Sequence, residues 1–273
     1  MKHLFWVILF CNLGSSLFAN PPEVVKEHIY NDARYSRIFV GGQAYYYNLR
    51  ISDSDSNSAT ATPNPFKGCL GGFILGYEYK RPNNLYAVLQ LSYALGTIRT
   101  HDTGNNRRFI HDEILETRFG YFRSLTKNFR YFLTPYTGAG FRWNIQHRRA
   151  GTLAALNFDY YKIYIPLGLI MNYVPNKIVN LGVDFEWMPD VLSMVSISTL
   201  KGAFWELKRM NNYLVQAPCL FTFGNRWELG FTPFWMQFGD GQSIAVTDNG
   251  IALDLDQQKT NDWGGRVSLG VHF

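Results

Sequence analysis

The final eleven residues, Trp263 to Phe273, constrain the fold more than any other stretch, because apolar and polar or small residues alternate through them without a break. Trp263, Gly265, Val267, Leu269, Val271 and Phe273 fall on one face of an extended strand, and Gly264, Arg266, Ser268, Gly270 and His272 fall on the other. The last strand of a soluble sandwich alternates in the same way, so the pattern specifies a strand before it specifies its surroundings.

The same period of two recurs along the chain. Ten segments are long enough to cross a bilayer when tilted, which takes roughly nine to eleven residues. They are Arg37 to Asn48, Cys69 to Lys80, Leu85 to Thr97, Glu113 to Ser124, Tyr131 to Gln146, Asp159 to Tyr173, Ile178 to Trp187, Tyr213 to Phe223, Arg226 to Phe238, and Trp263 to Phe273. Their connections alternate in kind. Pro82-Asn83-Asn84, Leu125 to Arg130, Pro175-Asn176-Lys177 and Gly224-Asn225 have tight-turn chemistry, whereas Asn48 to Gly68, Ile98 to Asp112, His147 to Phe158, Met188 to Asn212 and Gly239 to Asp262 are long and polar. Within Met188 to Asn212, Met194 to Leu200 and Ala203 to Met210 are marginal in length. We read them as an external hairpin or helix on a ten-stranded wall; counting both as spanning gives the twelve-stranded alternative.

Facing follows from the period. Leu85, Ala87, Leu89, Leu91, Tyr93 and Leu95 are expected outside, against Tyr86, Val88, Gln90, Ser92 and Ala94 inside. Leu133, Ala139, Phe141, Trp143 and Ile145 likewise oppose Thr134, Gly138, Gly140, Arg142 and Asn144, and Val179, Leu181, Val183, Phe185 and Trp187 oppose Asn180, Gly182, Asp184 and Glu186. Tyr46, Tyr77, Tyr79, Tyr93, Tyr121, Trp143, Tyr173, Trp187, Tyr213, Trp227, Trp235 and Trp263 lie toward strand ends on the outer face, where rings with one wet edge suit a membrane interface. A sandwich would wet its polar faces and would not sort its loops by length.

At the other end, Met1, Lys2 and His3 precede an apolar run from Leu4 to Phe10, then Gly14, Ser15 and Ser16, with a cut expected after Ala19. This is the layout of a secretory signal peptide; a lipoprotein anchor on Cys11 is disfavoured by Phe10 before it. About 47% of residues are apolar and 16% aromatic, yet no later run approaches the roughly eighteen apolar residues of a spanning helix. Loss of Lys2 leaves 25 of the 26 basic residues against 21 acidic ones, too small an excess to point to nucleic acid. Cys69 and Cys219 have no metal or redox spacing and are expected as buried or lipid-facing thiols.

Alternation closing on an aromatic residue resembles the last strand of Gram-negative outer-membrane β-barrels. In that family, the terminal aromatic and the apolar residues before it, here Val267, Leu269, Val271 and Phe273, are read by the barrel-assembly machinery. The resemblance implies an all-β, transmembrane, antiparallel up-and-down β-barrel of ten strands, in the outer membrane, with both termini periplasmic and lipopolysaccharide around it. The expected organisation is a signal peptide at 1–19, a periplasmic arm at 20–36 and the barrel at 37–273.

The inward faces carry Glu78, Glu116, Arg118, Arg142, Lys162, Asp184, Glu186, Glu228 and Arg266. A mixture of five acids and four bases suits a filled, cross-linked lumen, because an unpaired buried charge costs several kcal/mol, roughly. A narrow polar channel is the alternative. Catalytic patterns are weak. Asp53-Ser54-Asp55 with His101-Asp102 loosely resembles the omptin proteases, but the Asp-x-His element is missing; Gly241-Gln242-Ser243 lacks the closing glycine of a nucleophile elbow. Asp240, Asp248, Asn249, Asp254 and Asp256 match no EF-hand. No catalytic site, metal or cofactor is expected. Arg99, Arg107, Arg108, His147, Arg148 and Arg149 form a candidate polyanion-binding rim on the second and third loops, suited to lipopolysaccharide phosphates or host ligands. The expected role is structural or surface-interactive and adhesin-like, with porin-like transport and omptin-like proteolysis as alternatives.

Overall fold

The computed structural model describes residues 36–52, 65–81, 84–100, 107–126, 130–149, 157–176, 178–197, 204–224, 226–243 and 255–273. Thirteen strand segments run in chain order: β1 (Ser36–Ser52), β2 (Phe66–Lys80), β3 (Asn84–Arg99), β4 (Arg107–Ser124), β5 (Tyr131–Arg149), β6 (Asn157–Tyr164), β7 (Leu167–Tyr173), β8 (Val179–Ile197), β9 (Phe204–Glu206), β10 (Asn211–Gln216), β11 (Cys219–Phe223), β12 (Trp227–Asp240) and β13 (Gln257–His272). All pairings are antiparallel, β1 to β5 each pair with the next strand in the chain, β12 pairs with β13, and β13 returns to β1 from Arg37↔His272 to Ser52↔Gln257. The sheet is therefore a closed ten-stranded barrel, which leaves no unpaired edge to face hydrocarbon.

Ten wall strands arise from thirteen segments because two are interrupted. Segments β6 and β7 share the same neighbours, β5 and β8, and are separated at Ile165-Pro166. Pro166 has no N–H to give the ladder, and the Ile165 amide bonds instead to the Pro189 carbonyl at 3.2 Å. Segments β9, β10 and β11 likewise form one wall strand along β8, broken at 207–210 and at Ala217-Pro218. The Met188 to Asn212 stretch is thus resolved as a hairpin-like extension: β8 continues to Ile197 and pairs Val195↔Trp205, and no extra pair of spanning strands is formed there.

The strands overrun the expected boundaries at the long-connection end, where β4 starts at Arg107 and β13 at Gln257. The other end is closed by tight turns. Asn176 caps one by accepting the Ile178 and Val179 amides at 2.9 Å each, and Gly224 supplies a positive φ of 58° in another. The expected signal peptide and most of the arm lie outside the described residues; Ser36 already belongs to β1.

Side-chain facing is inside out relative to a soluble protein. Leu85, Leu89, Leu91 and Leu95 on β3, Val183, Phe185 and Trp187 on β8, and Trp263, Val267 and Leu269 on β13 are exposed. Apolar surface this continuous suits lipid and not water. The interior mixes charged residues with buried apolar clusters, of which two are the largest. One, at the long-connection half, includes Tyr45, Tyr47, Leu49, Ile98, Ile110 and Phe238; the other, at the tight-turn half, includes Tyr86, Val88, Phe122, Phe132, Tyr136 and Ile170.

Candidate functional site

All nine charged residues assigned to the lumen point inward and are buried. Arg118 on β4 is the centre. Its guanidinium meets Glu116 at 2.6 Å, Asp184 at 2.8 Å and Glu186 at 2.7 Å, so one cation joins β4 to β8 across the interior. The Tyr136 hydroxyl donates to Asp184 at 2.8 Å and to Glu186 at 2.7 Å, and the Tyr164 hydroxyl donates to Glu116 at 2.8 Å. Gln216 continues the web, donating to Asp184 at 2.7 Å and accepting from Arg266 at 3.0 Å. Arg266 also donates to Gln43 at 3.2 Å and stacks over Phe234 at 4.5 Å.

Two further ties lie toward the long-connection end. Arg142 grips Asp112 with bonds of 2.7 and 3.2 Å, while Asn144 and Tyr45 donate to the same carboxylate at 3.0 and 3.1 Å. Lys162 sits between Asp190 at 3.2 Å and Asp240 at 3.3 Å, connecting β6, β8 and β12. At the tight-turn end, Arg37 is clasped by Glu78 and Glu228, with Lys80 and His272 each 3.1 Å from one of those acids. Most of these buried charges thus meet an opposite sign, as burying many charges requires, whereas Asp262 is wholly buried with one carboxylate oxygen lacking a hydrogen-bond partner.

Arg37, Asp112, Asp190, Asp240 and His272 were absent from the sequence-based lumen set. Asp112, Asp190 and Asp240 lie in segments read as loops; the inward alternation of Ile110, Asp112, Ile114 and Glu116 is the signal that β4 begins earlier. Two glycines make the wall thin where the web is densest. A Cβ on Gly140 would lie 2.1 Å from the Tyr164 ring, and one on Gly168 would lie 2.2 Å from the Tyr136 ring. These rings lie flat on bare backbone, which aims both hydroxyls at the acids.

The basic rim divides by parity and lies on strands more than on loops. Arg99 and Arg107 are exposed outside. Arg108 is a correction: it is 8% exposed, donates to Gln146 at 2.8 Å and stacks over Phe66 at 4.3 Å, so it is an interior residue and no part of an accessible rim. In the ladder Arg148 pairs with Arg108, and Arg149 with Arg107. His147 faces out beside His111, with ring centroids 5.5 Å apart. Val267, Leu269 and Phe273 of the expected assembly signal are exposed on the outer wall. Cys69 and Cys219 are free thiols on outward positions. Asp53, Asp55, His101, Asp102, Asp248, Asn249 and Asp254 lie outside the described residues; Asp240 is occupied by Lys162.

No protein-family model matches the chain, and no curated protein matches it. Solved structures do. The outer-membrane protease OmpT from Escherichia coli matches with a TM-score of 0.58 at 10% identity, covering 87% of this chain and 96% of that one. The transport unit of the autotransporter AIDA-I from Escherichia coli matches with a TM-score of 0.50 at 12% identity, covering 96% of each. At such identities the likeness concerns the fold, which is that of the Gram-negative outer-membrane β-barrels; one neighbour is a protease and the other a transport unit, so architecture alone selects no activity.

Proposed function

We propose that this chain is an integral outer-membrane barrel that is exported by a cleaved signal peptide, does not conduct, and acts structurally or through its external surface. The observation carrying this reading is the position of Arg118, bonded to carboxylates on β4 and β8 in an interior that also holds buried apolar clusters. A diffusion pore needs a continuous water path, and both the charge web and the apolar clusters fill the space it would need. Reconstitution in planar bilayers tests the reading: silent membranes are expected, and steady unitary steps that change in Glu116→Gln or Arg142→Gln would overturn it.

A narrow passage is the second reading. It is favoured by a cavity of about 100 Å³ in the tight-turn half, lined by Arg37, Glu78, Gln90, Thr232, Arg266 and Ser268. The same bilayer recording separates the two. Omptin-like proteolysis is tested by peptide cleavage that disappears in Asp53→Ala and His101→Ala.

A further inference from the structure

The cavity of about 100 Å³ in the tight-turn half is lined by four cations, Arg37, Lys80, Arg118 and Arg266. Three of them are matched by acids. Arg37 and Lys80 lie on Glu78, Arg37 also on Glu228, and Arg118 holds Glu116, Asp184 and Glu186. Arg266 differs. It is buried mid-strand in β13 between β1 and β12, and among the described residues no carboxylate is in ion-pair contact with it. The two acids lining the cavity are already covered by donors, Glu78 by Arg37 and Lys80, and Asp184 by Arg118, Tyr136 and Gln216.

The neighbours of Arg266 fix its direction. Gln43 donates its amide nitrogen to the Tyr93 carbonyl at 3.2 Å, and Gln216 donates its own to Asp184 at 2.7 Å. Both amide oxygens are thereby turned to the guanidinium, Gln43 accepting from Nε at 3.2 Å and Gln216 from Nη1 at 3.0 Å, while the Phe234 ring lies 4.5 Å away. Nη2 is left without a bond among the described residues. Four more polar side chains line the same cavity and make no side-chain hydrogen bond there: Thr232, directly opposite Arg266 in the ladder, Ser268 on the same face of β13, Gln90 on β3 and Thr134 on β5. Of these, Thr134 is only 1% exposed. A buried cation with neutral partners, beside hydroxyls that have none, is completed by an anion from outside the chain.

Size and charge narrow the guest. A cavity of roughly 150 Å³ holds one benzene, so this one suits about four to six non-hydrogen atoms. A second negative charge on the guest would meet Asp184 and the acids around Arg118, which favours a single charge. The rest of the lining, including Phe39, Ile74, Val88 and Ile170, suits a short carbon chain. We propose that this cavity binds a small monocarboxylate, of acetate to pyruvate size, with its carboxylate on Arg266 Nη2 and on the hydroxyls of Thr232 and Ser268. The inference goes beyond the closed-lumen reading and is independent of it, because a blind pocket and a passage both present Arg266.

Saturation-transfer NMR on the full chain, folded in deuterated non-ionic detergent, tests it with acetate, pyruvate and the neutral isostere acetamide as probes and inorganic phosphate as competitor. Transfer to the acetate and pyruvate methyl groups is expected, and none to acetamide. Arg266→Gln is expected to weaken acetate binding roughly tenfold or more. Ser268→Leu, which fills the cavity and keeps Arg266, is expected to weaken it as much, and Arg209→Gln, exposed elsewhere, to leave it unchanged. Absence of transfer to both carboxylates on the folded chain overturns the proposal. Equal transfer to acetamide overturns the anionic class, and displacement of acetate by a lower concentration of phosphate overturns the carboxylate. Unchanged affinity in Arg266→Gln overturns the site; if that variant does not fold, unchanged affinity in Ser268→Leu does so. Silent bilayers with failed binding would overturn this inference alone, and conductance with intact binding only the closed lumen.

Discussion

Arg118 and Asp184 meet at 2.8 Å from β4 and β8, strands separated in the wall by two others. The contact crosses the barrel instead of running along it, so the cylinder is braced by side chains as well as by its ladder. Three carboxylates share this one guanidinium, and Tyr136 donates to two of them. Arg118→Met should therefore leave Glu116, Asp184 and Glu186 buried together without their cation. A loss of about 3–5 kcal/mol is expected, measured as a lower urea midpoint for the folded band in unboiled gels. Adding Asp184→Asn and Glu186→Gln should recover part of it. An unchanged midpoint in the single variant would mean that water, not protein, solvates these acids.

The Gly140 and Tyr164 pair gives a test by volume instead of charge. A β-branched side chain at Gly140 has no room beneath the Tyr164 ring, which is completely buried and holds Glu116 through its hydroxyl. Gly140→Val is expected to cost about 1–3 kcal/mol from overpacking, plus the lost bond. Gly42, which faces outward with its nearest neighbour 3.9 Å away, should accept alanine with little change in the same gel assay. Equal effects at the two positions would contradict the close approach.

The barrel was legible in the chain because the period of two reports facing directly. Leu85 to Leu95 and Val179 to Trp187 came out on the expected sides, and the ten-strand count held against twelve. Strand ends were less legible. The reading stopped where apolar residues thinned, yet a ladder needs only backbone groups, so β4 continues through His111 to Arg107 and β8 through Ser193 to Ile197. That shortfall hid Asp112 and Asp190. The breaks at Pro166 and Pro218 were also missed, because a proline in a wall strand removes one ladder bond without ending the strand when its neighbours find other acceptors. Arg37 illustrates a different limit: its outward or inward place was readable, but its two acids, Glu78 and Glu228, are brought to it by closure of the sheet.

The parity of the neighbouring arginines Arg107 and Arg108 is decisive for what the long-connection end presents to its surroundings. One residue is exposed and the other sits against Phe66 and Gln146 inside the wall. A shift of one residue in the register of β4 would exchange them and would also turn Glu116 and Arg118 toward lipid. With Cys69 and Cys219 first replaced by serine, Arg107→Cys is expected to react rapidly with a bulky water-soluble maleimide on the folded protein. Arg108→Cys is expected to react at least tenfold more slowly, roughly the protection expected of a buried thiol. Both should label fully after boiling in detergent. Fast labelling at both positions would mean that β4 frays there, and reversed rates would place the strand one residue out of register.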